Sequence, residues 1–214
     1  MEDEAAGGTG PVSGGPVKGI VFLDRDGTLI EEVGYLSDPR QMREVPGAAE
    51  SLLRLIRGGF LLAVVSNQAG LAKGKFGEEE QEAVHRAFVD LFRAKGVDFA
   101  AVEYCPHHPE GSVEKYRAAC DCRKPSHGMA ERVLARLELP SAYTTWIVGD
   151  KMTDVLMGPA LRAKTILVAT GYGESERVEG ERRGFRPDVF LPSIKEAAEW
   201  IMAEGEQGEQ TGDS

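Results

Sequence analysis

Gly19-Ile20-Val21-Phe22-Leu23-Asp24-Arg25-Asp26-Gly27-Thr28-Leu29 is the stretch on which the rest of the chain turns. A β-branched and aromatic run, with no polar alternation, ends abruptly in two carboxylates one residue apart. Such a run predicts a strand buried on both faces. Open α/β sheets bind ligands beyond the carboxyl ends of their strands, and this strand would deliver Asp24 and Asp26 there. Two acids so close repel each other, and a divalent cation relieves the repulsion. One acid can then stay ionised as a nucleophile while the other trades a proton with a leaving group. The plain alternative is a strand followed by an Asp-Gly turn; the partners further along the chain favour the chemical reading.

Strand and helix signals alternate outward from this run. Pro46-Gly47 opens a helix with Ala49, Leu52, Leu53 and Ile56 at helical spacing, and Gly58-Gly59 closes it. Phe60 to Val65 predicts a second buried strand, delivering Ser66-Asn67-Gln68-Ala69-Gly70. Glu78 to Lys95 predicts an amphipathic helix with Val84, Phe88, Leu91 and Phe92 on one stripe. His85 on that helix reads as a surface or boundary residue rather than a ligand. Further strands are expected at Phe99–Tyr104, Thr144–Val148, Thr165–Ala169 and Asp188–Leu191. Further helices are expected at Ser126–Leu137, capped near Ser126; at Thr153–Ala163, with a kink at Gly158-Pro159; and at Ser193–Ala203. The alternation calls for an α/β fold, a Rossmann-like parallel sheet with helices on both faces.

The chain has 214 residues and a formal charge of −10, enough for one domain and too acidic for a general nucleic-acid or anionic-membrane surface. No apolar run is long enough to span a bilayer. Residues 1–17 are acidic and Gly-rich, without the basic start and apolar middle of a signal peptide, and 204–214 are Glu/Gln/Gly-rich. Both are expected to be disordered tails around a single domain at 18–203. A cytoplasmic, reducing location follows as an expectation, in which the three cysteines are thiols or metal ligands.

Those cysteines form a pattern. Cys105-Pro106-His107 and Cys120-Asp121-Cys122 are separated by twelve residues, and two pairs at i and i+2 suit a tetrahedral, structural Cys₃His zinc site in a loop at 104–125. His107 matches the spacing of the other pair, and His108 is its competitor. The second pair runs directly into Arg123-Lys124, so the zinc would position two cations.

Asp24/Asp26, Ser66-Asn67, Arg123-Lys124 and Asp150 therefore fall at strand ends or a helix start. The set resembles the haloacid dehalogenase superfamily of phosphohydrolases, whose four motifs match in order and spacing over roughly Gly19 to Gly171. The resemblance implies Asp24 as nucleophile and Asp26 as general acid/base. It implies Mg²⁺ held by Asp24, Asp26 (through its carbonyl) and Asp150, with Ser66 and Lys124 steadying the phosphoryl oxygens. The zinc loop, Val33-Gly34-Tyr35, Asn67-Gln68-Ala69-Gly70 and Gly149-Asp150-Lys151 are similar to the D-glycero-D-manno-heptose 1,7-bisphosphate 7-phosphatase family. That likeness implies no large cap domain, a monomer, and removal of the 7-phosphate of a sugar bisphosphate on the way to nucleotide-activated heptose for lipopolysaccharide or surface glycans. It also implies substrate contacts from Arg25, Glu32, Val33, Gly34, Tyr35, Ser66, Asn67, Gln68, Ala69, Arg123, Lys124 and Lys151, with Arg123 gripping the second phosphate through its planar fork. Ser66 stands where that family more often has threonine, and Val33 where some members have histidine. Histidinol-phosphate phosphatase, with the same fold and zinc loop, is the alternative.

Overall fold

The computed structural model describes residues 16–210, with the course of the backbone alone for 206–210. Six parallel strands form one sheet: β1 (Gly19–Leu23), β2 (Phe60–Asn67), β3 (Ala101–Cys105), β4 (Thr144–Gly149), β5 (Lys164–Val168) and β6 (Val189–Leu191). Their spatial order is β3-β2-β1-β4-β5-β6, so β1 lies between β2 and β4 and all five of its residues are buried. The chain reverses its direction of travel across the sheet at β1, which makes the end of β1 the switch point where such sheets bind ligands.

Alternate residues of β1 feed two cores. Val21 and Leu23 face α1 (Ala48–Arg57), α2 (Glu78–Arg93) and α7 (Ile194–Gln210), which supply Leu52 and Leu55, Phe88 and Phe92, and Ile194, Ala197, Ala198 and Ile201. Ile20 and Phe22 face α3 (Gly128–Arg136), with Met129, Ala130 and Val133 beneath them. Helices on both faces leave no strand of the central four with a solvated side, which explains the continuous apolar runs.

Several boundaries differ from the sequence reading. Phe99 precedes β3 and stacks on Phe88, with ring centroids 5.5 Å apart, so it packs on α2 instead of entering the sheet. The N-cap of α3 is His127, next to Ser126, and it makes no side-chain cap bond. The helix expected at Thr153–Ala163 is two short ones, α4 (Met152–Val155) and α5 (Gly158–Leu161): Pro159 has no N–H to continue the first, so Gly158-Pro159 restarts the helix. A helix at Gly173–Arg182, α6, was not expected at all. Finally, α7 runs to Gln210, which corrects the start of the tail at 204. Phe60 packs against Gly205, Met202 lies against Gly58, and Lys164 pairs with Glu204, so the helix is packed as far as Gly205. The remainder of both expected tails, 1–15 and 211–214, lies outside the described residues. Among the described residues no helix is long and apolar enough to cross a membrane.

Candidate active site and metal clusters

Asp24 follows β1 directly, its N–H held by the Val148 carbonyl of β4 at 2.9 Å. Its carboxylate Oδ1 accepts from the Arg25 N–H at 2.8 Å and from the Lys124 ammonium at 2.9 Å. Lys124 is 2% exposed, and its three ammonium donors are all placed: on Asp24, on Asp154 at 2.5 Å and on the Val65 carbonyl at 2.8 Å. Burial works against the charge on Asp24, but Lys124 and then Lys151 outweigh it and hold the carboxyl below its ordinary range. Burial likewise opposes the charge on Lys124, and Asp154 and Asp24 overcome it.

Asp150, at the end of β4, is fully buried. Its Oδ2 accepts from the Tyr172 N–H at 2.9 Å, while Oδ1 has no hydrogen-bond partner. Burial, and after it the charge of Asp24, pushes Asp150 up to about 8. Gly27 and Gly171 close over this carboxylate with φ of +80° and +61°; a Cβ on either would lie 2.2 Å from Oδ2. Only glycine adopts those angles freely and leaves that space. One oxygen each from Asp24, Asp150 and Asp154 lies within 4.8 Å of the others. Three converging acids, one with a buried oxygen that makes no hydrogen bond and has the Lys151 ammonium 3.7 Å away, make a donor set of the kind a hard divalent cation takes.

Asp154 was missed by the sequence reading. Its signal is the spacing of four from Asp150, across the start of α4. Gly149 is the accompanying clue, because a Cβ there would lie 2.3 Å from the Asp154 carboxyl carbon.

A cleft of about 390 Å³ opens above these acids. It is lined by Asp24, Asp26, Ser66, Asn67, Gln68, Ala69 and Lys124 from the expected set, and by Glu32, Gly34, Tyr35 and Lys151 at its mouth. Phe76, Thr153, Tyr172 and Glu176 line it too and were not expected; the last two come with α6. Lys151 reaches Glu32 at 3.1 Å and lies over the Tyr172 ring, 4.7 Å from its centroid. Asn67 lines the cleft, but its amide holds the Lys124 main chain at both ends, donating to the carbonyl at 3.1 Å and accepting from the N–H at 3.0 Å.

Three expected substrate contacts do not line this cleft. Val33 is 46% exposed outside it. Arg123 turns its Nη1 to the His107 carbonyl at 3.2 Å, tying it to the cysteine loop. Arg25 is 1% exposed and lies below the floor, with Nε and Nη2 on both oxygens of Asp26 at 2.8–3.2 Å. The ion pair with the next acid draws its guanidinium inward.

The cysteine cluster stands beside this site. Cys105 ends β3, next to Asn67 in the register of β2. The three sulfurs are 3.0–3.5 Å apart, and His107 Nδ1 is 3.3 Å from the Cys122 sulfur. His108 points its Nδ1 to the Glu110 N–H instead, at 3.1 Å. Cys105, His107, Cys120 and Cys122 thus bring four soft donors within 4.8 Å of one another, a set that fits zinc.

Comparison with known proteins agrees with this geometry. Residues 121–197 match the HAD-hydrolase-like family model. The D-glycero-beta-D-manno-heptose-1,7-bisphosphate 7-phosphatase of Escherichia coli K12 is 35% identical over 185 residues, covering 85% of this chain and 87% of that one. That of Pasteurella multocida is 40% identical over 156 residues, covering 72% and 84%. The chain belongs to this family. A solved structure, the D,D-heptose 1,7-bisphosphate phosphatase from B. bronchiseptica complexed with magnesium and phosphate, superposes with a TM-score of 0.74 at 26% identity, covering 87% of this chain and 99% of that one. That structure shares the fold of this chain, and among the described residues no large cap interrupts the sheet.

Proposed function

We propose that this chain is a phosphatase that removes the 7-phosphate of D-glycero-β-D-manno-heptose 1,7-bisphosphate through an aspartyl-phosphate, as a step toward nucleotide-activated heptose. The observation that carries the reading is Asp24: a buried carboxylate kept ionised by Lys124 at 2.9 Å, at the floor of a cleft, in a chain of this family.

Asp24 attacks phosphorus in line, and the bond from phosphorus to the C7 oxygen breaks. Asp26 gives its proton to the departing alkoxide; as the carboxylate, it then takes a proton from the water that attacks the aspartyl-phosphate. Phosphate leaves and Asp24 is regenerated. The Lys124 ammonium and the Ser66 hydroxyl hold equatorial oxygens, where charge spreads in the transition state. The carboxylates of Asp24 and Asp150 and the carbonyl of Asp26 would hold magnesium, with Asp154 beside them. When bound, that ion supplies positive charge that lets one anion approach another. Cys105, His107, Cys120 and Cys122 would hold a structural zinc.

At the mouth, Glu32, Gly34, Tyr35 and Lys151 meet the sugar. Glu32 is paired with Lys151 and so is less free to grip an amine, which favours the sugar phosphate over histidinol phosphate. Catalytic efficiency compared on the β- and α-anomers, with histidinol phosphate as control, tests the reading. The β-anomer is expected to lead, and a preference for histidinol phosphate would overturn the assignment.

A further inference from the structure

We infer that Arg25 is a positioning residue that fixes the direction of the Asp26 carboxyl group, so that the proton this group takes up from solvent at the cleft is delivered to the leaving group; this rests on the reading of Asp26 as the general acid. A guanidinium at 1% exposure is costly to bury unless it is paired, and although Nη1 has no hydrogen-bond partner, Nε and Nη2 carry the pairing. Here the partners are not substrate. Nε lies 3.2 Å from both oxygens of Asp26, and Nη2 lies 3.0 and 2.8 Å from them. Nη2 also donates to Gln68 Oε1 at 2.9 Å. Gln68 returns its amide to Asp26 Oδ2 at 2.7 Å and reaches the Ser66 hydroxyl at 3.0 Å. The acid is thereby gripped at both oxygens from one side and braced to the phosphoryl-binding hydroxyl on the other.

The clamp has a floor. The Arg25 guanidinium carbon stands 5.4 Å over the Tyr104 ring, and the Tyr104 hydroxyl is 3.2 Å from His85 Nδ1 on α2. The two rings meet edge to face at 5.2 Å. The Arg25 carbonyl is fixed as well, accepting from the N–H groups of Leu29 at 2.9 Å and Ile30 at 3.1 Å. A column from α2 through β3 to the β1 loop therefore ends on Asp26, whose side chain is 14% exposed at the cleft. Free rotation of an aspartate would spread its proton over many directions; the planar fork of arginine removes that freedom, and a lysine, a point charge, would not.

The signature lies in the leaving group. A sugar alkoxide needs a proton to depart, whereas 4-nitrophenolate does not, and kcat/KM reports only the steps up to that departure. Arg25→Lys should lower kcat/KM on the heptose bisphosphate by about a hundredfold and on 4-nitrophenyl phosphate by less than about threefold. Gln68→Met, which leaves no buried charge unpaired, should show the same selectivity at smaller size and decides the matter if Arg25→Lys does not fold. Asp26→Asn is the reference. If it is selective while both other variants lose the two substrates in parallel, the positioning role is overturned and the acid reading stands. If Asp26→Asn itself loses both in parallel, Asp26 is not the acid and the inference falls with it.

Discussion

Two clusters of potential metal ligands stand side by side at one end of the sheet, and they are built in opposite ways. The acids come from three places in the chain, the ends of β1 and β4 and the first turn of α4, and a buried ammonium already offsets their charge. The thiols come from one strand end and one loop; burial, and then bonding to Cys122, pushes the Cys105 thiol well above its ordinary range. The sheet therefore fixes the acid site in advance, while an ion held by the four soft donors would join the two halves of the cysteine loop. A site that must poise charge for reaction is set by strands, and a site that only has to hold can be left to a loop.

The comparison breaks first at Asp24. Asp24→Asn should lower turnover of the heptose bisphosphate by about four orders of magnitude. The fold should survive, since Lys124 keeps Asp154 and the Val65 carbonyl as partners. Phosphate release and a melting curve check both halves. Substantial residual activity would remove Asp24 as nucleophile.

Lys124→Met should come next, with a loss of about 10²- to 10³-fold in kcat. It also strips the cation from Asp24 and Asp154, which should cost about 3–5 kcal/mol of stability. Added magnesium should then raise the melting temperature of this variant more than that of the wild type, because the ion would replace the missing charge. Equal shifts would mean that the acids do not share an ion.

The thiol side should give a smaller effect. Cys120→Ala should lower activity about tenfold by loosening the segment that carries Arg123 and Lys124, with the magnesium requirement unchanged. The loss is bounded because Asn67 still holds the Lys124 main chain at both ends. Wild-type activity with no bound zinc would separate the cluster from catalysis.

What could be read from the sequence follows the same division. β1 was legible because burial on both faces leaves no polar residue to confuse the run, and Asp24, Ser66 and Asp150 were legible because they sit where such runs stop. The thiol pairs were legible from spacing alone. α6 was not: it is polar nearly all round, with Gly173 and Gly180 as its buried residues, and its pairs Arg177–Glu174 and Arg177–Glu181 are the signal that was available. Missing it concealed Tyr172 and Glu176. Arg25 and Arg123 were expected on substrate, and neither lines the cleft, because a motif names residues without saying which way they face. Arg25 is drawn inward by Asp26, and Arg123 is held by a loop carbonyl that no local pattern announces. Asp154 needed the helix of α4 to be seen as a separate turn beginning at Met152, which the single long helix expected there obscured.

The smallest effect belongs to an ion pair on the thiol side. Lys115 and Tyr116, on the cysteine loop, both reach Glu78 at the start of α2. Like Lys124 with Asp154, Lys115 and Glu78 form a close lysine–carboxylate pair. Yet Lys115 and Glu78 are both mostly exposed, whereas Lys124 and Asp154 are not. Water already solvates the exposed charges and screens them from each other, so joining them gains little over leaving them apart. Glu78→Gln should therefore leave the melting temperature, the zinc content and the turnover of the heptose bisphosphate within the scatter of the wild type. A clear fall in zinc content would mean that α2 holds the loop in shape before the ion arrives, and the contrast between a site set in advance and a site closed by its metal would have to be redrawn.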